Sequence, residues 1–492
     1  MFSGKIYLLF PVLVPFAAAL LLPLYKPKTL RGKRQFTMGA AILTALSAVG
    51  VAIAGQGEGI VLFSITQALP ILLQPDGLSV LYMLLAAFLW MGIVLFSHGY
   101  IPQNRYENRY YAFLLATLGS LMGLGLAGNI VTFYLFYELM TFLAFPLICH
   151  DMEEASVKAA ITFLIYSIFG ATLVLIAIAL FNGMGDIAAF VPGGILGDAA
   201  AGQGAKLGCA VILSLFGFGC KAGMYPLQAW LPIAHPAAPA SVSAPLSALI
   251  TKAGVLGIVR VVYYMVGPAS LQGTWVQKLW LGITLLTIFT GSMLAFREPL
   301  LKKRLAYSSI SQISYILFGL AILSPDGFTG ALLQIVFHAF AKLILFLCAG
   351  AIIHQVHVYR VSELKGIGKQ MPIVMWIFAL SALSLIGIPP TGGFISKWYL
   401  ISAALAADIG VFSWLGPVVL LISALLTAGY LFPIVIDAFF PGDDYDYEQL
   451  VSKEPDWRMR GPLIVFAAVA LLLALMPNRL MMFISGIAAG MM

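Results

Sequence analysis

Apolar stretches long enough to cross a membrane recur along the whole chain, and they restrict its fold more than any other feature of the sequence. Of the 492 residues, 61% are hydrophobic and only 10% are charged, whereas about 25% of the residues of soluble domains are charged. No soluble core can enclose so much apolar sequence. The apolar runs are continuous rather than alternating, which excludes a transmembrane β-barrel. We therefore predict an all-α polytopic membrane protein.

Allowing about 20 apolar residues for each crossing, the sequence predicts fourteen helices, of which the seventh, eleventh and twelfth are long or interrupted. The first precedes a strongly basic loop and is longer than the apolar region of a signal peptide, so we interpret it as a span. A short amphipathic stretch at residues 57–76 contains two prolines and is expected to lie at the membrane surface. The predicted helices lie near residues 6–25, 36–55, 77–97, 110–127, 129–149, 157–183, 207–234, 241–264, 275–296, 304–323, 329–356, 372–408, 413–440 and 461–490.

The basic residues of the loops predict the orientation of the chain. They are concentrated in loops that follow odd-numbered predicted helices, for example near residues 26–34, 297–304 and 360–369. Cytoplasmic loops of membrane proteins are enriched in lysine and arginine. We therefore predict a multi-pass protein of the inner (cytoplasmic) membrane with both termini outside. The net charge of +7 is explained by this orientation signal and does not indicate a nucleic-acid partner.

Four lysines fall well inside predicted helices, at Lys221, Lys252, Lys342 and Lys397. A charge at the centre of a membrane helix costs roughly 3 kcal/mol by insertion scales, and such a residue is a functional-site hypothesis by default. A lysine removed from water also binds its proton less tightly, which suits reversible protonation near neutral pH. Arg260 differs, because it lies near the outer end of its helix and is expected to extend to the interface.

Glu138 lies halfway along the fifth predicted helix. It either forms a structural ion pair between helices or moves to regulate Lys221, since close approach of a carboxylate favours the charged lysine and withdrawal favours release of its proton. Lys252 is the expected next station, with Ser243 and Thr251 among the hydroxyls able to orient water between them. The alternative for Lys252 is binding to carbonyl groups exposed where the seventh predicted helix is interrupted.

The second half of the chain carries a similar set of polar residues. His338 and Lys342 are four residues apart on the eleventh predicted helix and therefore share one face. A neutral histidine both donates and accepts hydrogen bonds and can pass on a proton, although a lone buried histidine is more often a packed core residue. A polar run with Ser311 and Gln312 in the tenth predicted helix either lines a wet interior or bonds helices together.

Lys397 is the expected terminal station of this path, and its alternative is an anchor at the membrane interface. His235, within the sequence LPIAHPAAP, either joins the two halves of the path or caps a turn. A cluster of acidic residues forms either a solvated loop, which we favour, or an entry funnel for ions. Its members are Asp151, Glu153 and Glu154.

Two interruptions indicate internal symmetry, one at residues 223–226 in the seventh predicted helix and one at residues 388–393 in the twelfth. Gly/Pro-interrupted segments at corresponding positions of two halves are the best sequence indication of a transporter site. If predicted helices 4–8 and 9–13 are five-helix repeats, each interruption falls in the fourth helix of its repeat, and the odd number inverts the second repeat. We thus expect N-terminal helices at 1–109, repeats at 110–264 and 265–440, and a loop with the last helix at 441–492.

No motif in the sequence indicates redox or nucleotide chemistry. The four cysteines lie in or beside apolar runs without the spacing of metal ligands, and we interpret them as small packing residues. The sequence contains no phosphate-binding loop, no CxxC or HExxH and no ligand set for haem or an iron–sulfur cluster. We predict neither a cofactor nor a metal, so energy must come from an ion gradient or a partner.

The candidate residues stand in four motifs: FYELM with Glu138, KAGMYPLQAWLPIAHPAAPASVSAPLSALITKAG with Lys221 and Lys252, HAFAKLILFLCAG with His338 and Lys342, and GIPPTGGFISKW with Lys397. Together they resemble the antiporter-like subunits shared by Mrp-type sodium/proton antiporters, respiratory complex I and membrane-bound hydrogenases. The resemblance covers nearly the whole chain. It implies a fourteen-helix core, two inverted five-helix repeats, a broken eleventh helix, and a hydrophilic axis parallel to the membrane along which these residues conduct protons.

Within the family, Lys397 differs from the glutamate found in some complex I members, and the chain is expected to lack the long C-terminal extension of the largest members. The resemblance is nearest to the D-type subunits of Mrp antiporters or the similar subunits of membrane-bound hydrogenases. It implies a proton-moving subunit that works with other membrane subunits, coupled either to sodium export or to a redox reaction. A scaffold whose charges merely pair is a third hypothesis. The sequence shows no acidic cage of the oxygen ligands that sodium prefers, which leaves the sodium route open.

Overall fold

A computed structural model describes residues 5–25, 29–55, 57–66, 69–102, 106–200, 202–442 and 451–491. These residues form many helices and one β-hairpin. Residues 26–28 of the first predicted cytoplasmic loop lie outside the described residues.

The elements follow one another in a simple order, with the hairpin between the second and third helices. In chain order they are α1 (Phe10–Tyr25), α2 (Leu30–Ala54), β1 (Ile60–Thr66), β2 (Leu69–Leu73), α3 (Gly77–Tyr100), α4 (Glu107–Leu126), α5 (Ile130–Ile148), α6 (Glu154–Asn182), α7 (Leu196–Ala199), α8 (Gly204–Ala222), α9 (Leu231–Ala237), α10 (Ala240–Val266), α11 (Trp275–Arg297), α12 (Leu301–Ala321), α13 (Pro325–Val356), α14 (Ile367–Gln370), α15 (Pro372–Ile386), α16 (Gly392–Ala406), α17 (Phe412–Phe439), α18 (Trp457–Leu475) and α19 (Asn478–Ala489).

Eleven helices of the described residues are long and apolar enough to cross a membrane, so the predicted multi-pass helical architecture is confirmed. The most enclosed are α10 and α13, whose most apolar stretches are completely buried by the rest of the chain. In contrast α2, α17 and α18 expose much of their apolar surface, as lipid-facing helices do. The number of fourteen spans stays a prediction.

Both predicted interruptions are confirmed. The first separates α8 from α9, and the second separates α15 from α16. Each begins at a glycine with positive φ, Gly223 at 80° and Gly387 at 94°, a conformation that costs glycine little because it has no Cβ. The arrangement of the helices in two inverted repeats stays a prediction.

Two predicted helices differ from those observed. The eleventh, expected to be broken, is the continuous helix α13. The fourteenth, expected over 461–490, is two helices, because Pro477 stands between α18 and α19 and a proline lacks the N–H that would continue the helical bonding.

Ile60–Thr66 and Leu69–Leu73 pair as two antiparallel strands, whereas the sequence predicted only a surface location for this stretch. Its second strand is fixed to the helical core, since the backbone N–H of Leu72 donates to Thr132 Oγ1 at 2.9 Å. The first strand exposes Phe63 and Ile65.

Contrary to the prediction, Arg260 does not extend to the interface. Its guanidinium is buried and pairs with the carboxylate of Asp76, which begins α3. The hydroxyl of Ser79 accepts a further bond from Arg260 at 3.0 Å, and the rings of Phe190 and Tyr264 cover the guanidinium. This ion pair joins α3 to α10, and the carboxylate makes extension to the interface unnecessary.

Candidate functional site

The centre of the site is a direct contact between the two enclosed helices. Lys252 of α10 lies with Nζ 2.7 Å from Nδ1 of His338 on α13, and it also donates to the carbonyl oxygen of Ser247 at 2.6 Å. Ser247 belongs to a π-helical turn over Leu246–Ile250, an irregularity common at functional sites. The alternative for Lys252 was wrong, because the carbonyl that it binds belongs to its own helix and not to the first interruption.

The contact between Lys252 and His338 allows a proton to be transferred between the two side chains. When Lys252 is charged it donates to Nδ1, and when the proton moves across, the neutral amine accepts from Nδ1–H. The other ring nitrogen, Nε2 of His338, is buried and has no hydrogen-bond partner among the described residues. The imidazole can therefore receive a proton on one nitrogen and release one from the other.

Lys342 lies one helical turn beyond His338 and faces the polar run of α12. Its Nζ donates to the hydroxyl of Ser308 and, at 2.9 Å, to the carbonyl oxygen of Leu305. Ser309 of the same run contacts Ser247 of α10, with 2.8 Å between the hydroxyl oxygens. The polar run therefore provides hydroxyls beside both Lys342 and the turn that holds Lys252.

Three of the secondary candidates are engaged in bonds that hold the structure together. Ser243 donates to the carbonyl oxygen of His235 at 2.7 Å, and Thr251 donates to that of Ser247 at 2.8 Å. Ser311 shares hydrogen bonds with Ser292 of α11 and Ser423 of α17. For Ser311 the structure supports the interpretation that it bonds helices together, and it lies outside the contacts of the four lysines.

Gln312 connects α12 with the second interruption through residues that the sequence analysis missed. Its Oε1 accepts from Nε2 of Gln334 at 3.1 Å, and Oε1 of Gln334 accepts from the hydroxyl of Ser396 at 2.5 Å. Ser396 directly precedes Lys397. Gln334 stands four residues before His338, and this spacing on one helix could have identified it.

Lys397 is buried and turns back onto the interruption before it. Its Nζ donates to the carbonyl oxygens of Leu385 at 2.5 Å and Ile386 at 2.7 Å, and it lies 5.2 Å from the centre of the Tyr315 ring. The alternative of an interfacial anchor was wrong. A backbone that leaves its helical bonding inside a membrane needs new partners, and Lys397 provides them here.

Lys221 does not form the predicted ion pair with Glu138. Its Nζ donates to the hydroxyl of Thr141, approaches the carbonyl oxygen of Tyr137 at 3.4 Å and lies 3.8 Å from the centre of the Tyr137 ring. Glu138 is half-buried, and its Oε1 has no hydrogen-bond partner among the described residues. A movable Glu138 stays a prediction, while Thr141, three residues further along α5, is a site residue that the sequence analysis missed.

His235 is completely buried between the rings of Trp230 and Phe346, with ring centroids 6.5 Å and 4.8 Å away. Neither ring nitrogen has a partner among the described residues. The ring therefore does not cap a turn, and the role of joining the two halves stays a prediction. No three His, Cys, Asp or Glu side chains of the described residues are grouped as metal ligands.

A family described as NADH:quinone oxidoreductase/Mrp antiporter, transmembrane, matches residues 127–425, which include every candidate site residue from Glu138 to Lys397. The chain belongs to this family. The predicted resemblance to antiporter-like subunits is thereby confirmed.

Proteins similar to this chain belong to an oxidoreductase, an antiporter and a reductase complex. The N subunit of the NADH-quinone oxidoreductase of Desulforudis audaxviator (strain MP104C) is 32% identical over 88% of this chain and 85% of its own length. The D subunit of the Na(+)/H(+) antiporter of Bacillus subtilis (strain 168) is 27% identical over 96% of this chain and 93% of its own length. A chain of the membrane-bound sulfane sulfur reductase, an archaeal respiratory membrane complex, has a TM-score of 0.86 at 20% identity, covering 99% of this chain and 98% of that one. The fold is thus that of subunits of multi-subunit membrane complexes.

Proposed function

We propose that this chain is the proton-translocating subunit of a multi-subunit cation/proton antiporter of the Mrp type. It lies in the inner (cytoplasmic) membrane with both termini outside and works with other membrane subunits. Protons move through the middle of the chain along a buried path. The residues of this path are Glu138, Lys221, Lys252, His338, Lys342 and Lys397.

The contact between Lys252 and His338 is the observation on which this proposal depends. The 2.7 Å separation links a lysine of the first half to a histidine of the second, and Nε2 of that histidine has no partner among the described residues that would hold its proton. Lys342 follows on the same helix, and Lys397 can be reached through the Gln334 to Ser396 bond. These groups accept and release protons without any cofactor.

Similarity to the D subunit of an antiporter over 96% of the chain favours antiport driven by an ion gradient over transport driven by a redox reaction. We assign protons to this chain, because the buried charges here are mainly lysines and hard cations prefer several oxygen ligands, and the route of sodium through the complex stays open. A proton-pumping subunit of a redox complex is the second candidate, favoured by 32% identity to the N subunit of an oxidoreductase.

The path is tested by His338→Phe in the whole complex reconstituted in vesicles. Phenylalanine fills the space of the ring but carries no proton, and losing a positioned proton carrier typically costs about a hundredfold or more in rate. We expect proton flux to fall by that factor while the complex stays assembled. His354→Phe is the matched control, since this exposed histidine near the end of the same helix should be replaceable. Normal flux from assembled His338→Phe complexes would rule out the path.

The source of energy is tested in the same vesicles by imposing a sodium gradient without an electron donor. An antiporter should then move protons in the direction opposite to the sodium flow, and this proton movement should stop in His338→Phe. Proton movement that requires a reductant, and does not respond to sodium, would instead identify the redox complex.

A further inference from the structure

The short loop between α9 and α10 is held from several sides. Lys302, at the start of α12, donates from Nζ to the carbonyl oxygens of Ala238 at 2.5 Å and Pro236 at 3.1 Å. Tyr100 of α3 accepts from the backbone N–H of Ala240 at 3.3 Å. The loop therefore has a defined position, and so does the histidine that precedes it.

That histidine is His235, whose buried ring has two nitrogens without a partner among the described residues. A buried polar group needs hydrogen bonds, and water can provide them at nearly the strength of a direct bond. The rings of Trp230 and Phe346 lie at 20° to the imidazole plane. In the neutral imidazole one nitrogen can accept a hydrogen bond and the other can donate one.

The charged groups around this pair form a series from the surface inward. Asp151, exposed on the turn between α5 and α6, acts electrostatically on Lys302. Lys302 lies beside His235, because its Nζ donates to the carbonyl oxygen of Pro236, the next residue of the chain. Burial increases in the same order, from exposed Asp151 through partly buried Lys302 to enclosed His235.

We propose that Lys302 is a proton-carrying station that connects the surface at Asp151 with His235, and through His235 with the central lysines. A charged lysine has three N–H donors, and the carbonyls of Pro236 and Ala238 take two of them. The third proton can leave toward His235, and the neutral amine still holds both carbonyls with its two remaining N–H bonds. A proton arriving from the side of Asp151 then restores the charge. This inference rests on the proposed function and adds a route into the path.

The simpler alternative is that Lys302 only fastens the end of α9. Lys302→Arg and Lys302→Gln separate the two roles, because both keep N–H donors for the carbonyls, while arginine does not release its proton and an amide carries none. We expect each variant to unfold at the same temperature as the natural complex and to lose proton flux by about a hundredfold or more, as for the loss of other proton carriers. Wild-type flux in either assembled variant would overturn the proposal.

Lys303→Arg is the matched control, since Lys303 pairs with Glu298 at 3.1 Å and should tolerate the change without loss of flux.

Failure of this inference differs from failure of the proposed function. If Lys302 only fastens the loop, Lys302→Arg keeps full flux while His338→Phe still abolishes it. If the whole path is wrong, His338→Phe also keeps its flux.

Discussion

The two interrupted helices place their lysines in opposite relations to the interruption. Lys221 lies in the last turn of α8 and points away from the interruption toward α5, where it meets Thr141. The carbonyl of Cys220 beside this interruption is satisfied by Nε1 of Trp230 at 2.9 Å. In the second half Lys397 lies beyond the interruption and itself binds the exposed carbonyls. One interruption is stabilised by a residue that cannot titrate, and the other by Lys397, a lysine of the proposed path.

This difference assigns different tasks to the two lysines. In the proposed path Lys397 combines a structural role with proton transfer, which is chemically consistent because its amine retains two N–H bonds for the two carbonyls after a proton has left. Lys221 has one hydroxyl, one distant carbonyl and an aromatic ring around it, so no backbone depends on it. Removing either lysine should stop proton flux, but only the removal of Lys397 should also weaken the fold.

The largest combined effect is expected for Lys397→Met. Two buried carbonyl groups lose their partner, and each unsatisfied group costs about 1–3 kcal/mol, so the unfolding temperature of the detergent-solubilised complex should fall and proton flux in vesicles should be lost. In Lys397→Arg the donors remain and stability should be kept, while flux is lost because arginine holds its proton. Full flux in Lys397→Arg would show that this residue is structural only.

The same change in the first half, Lys221→Met, should affect flux alone. Flux should fall by about a hundredfold, the usual cost of losing a positioned proton carrier. Stability should change little, because the hydroxyl of Thr141 still donates to the carbonyl oxygen of Tyr137 at 3.1 Å. Flux is measured in vesicles and stability by thermal unfolding. A loss of stability as large as that of Lys397→Met would remove the contrast between the two halves.

The sequence predicts both interruptions and the lysine near each one, but it does not predict which group each lysine contacts. Glycines and prolines mark both interruptions in the sequence, and a lysine near each one marks the proposed path. The partner of each lysine depends on how the helices rotate and pack, which helical spacing does not reveal. Glu138 and Thr141 stand three residues apart on α5, and only the packing of α8 directs Lys221 to the hydroxyl. The contact of Lys252 with His338 likewise joins two helices that are far apart in sequence.

The smallest effect is expected for Thr141→Val, which keeps the shape of the side chain and removes only the hydroxyl that Lys221 contacts. The ammonium group of Lys221 then keeps only the Tyr137 carbonyl oxygen, at 3.4 Å, as an acceptor. Glu138 lies on α5 like Thr141, and its carboxylate oxygen Oε1 has no partner among the described residues. We expect the lysine to turn toward that carboxylate, because an opposite charge favours its protonated form, and so to release its proton less readily. Flux should fall about threefold to tenfold. This is less than the loss of a full hydrogen bond to a charged group, worth about 1.5–3 kcal/mol, because the new contact with Glu138 partly replaces the lost bond.

Thr141→Ser separates this effect from a change in packing, since it restores the hydroxyl and removes only a methyl group. It should recover most of the flux measured in vesicles. If serine and valine reduce flux equally, packing of α5 against α8 and not the hydroxyl controls Lys221. The hydroxyl of Thr141 would then have no separate role in the release of the Lys221 proton.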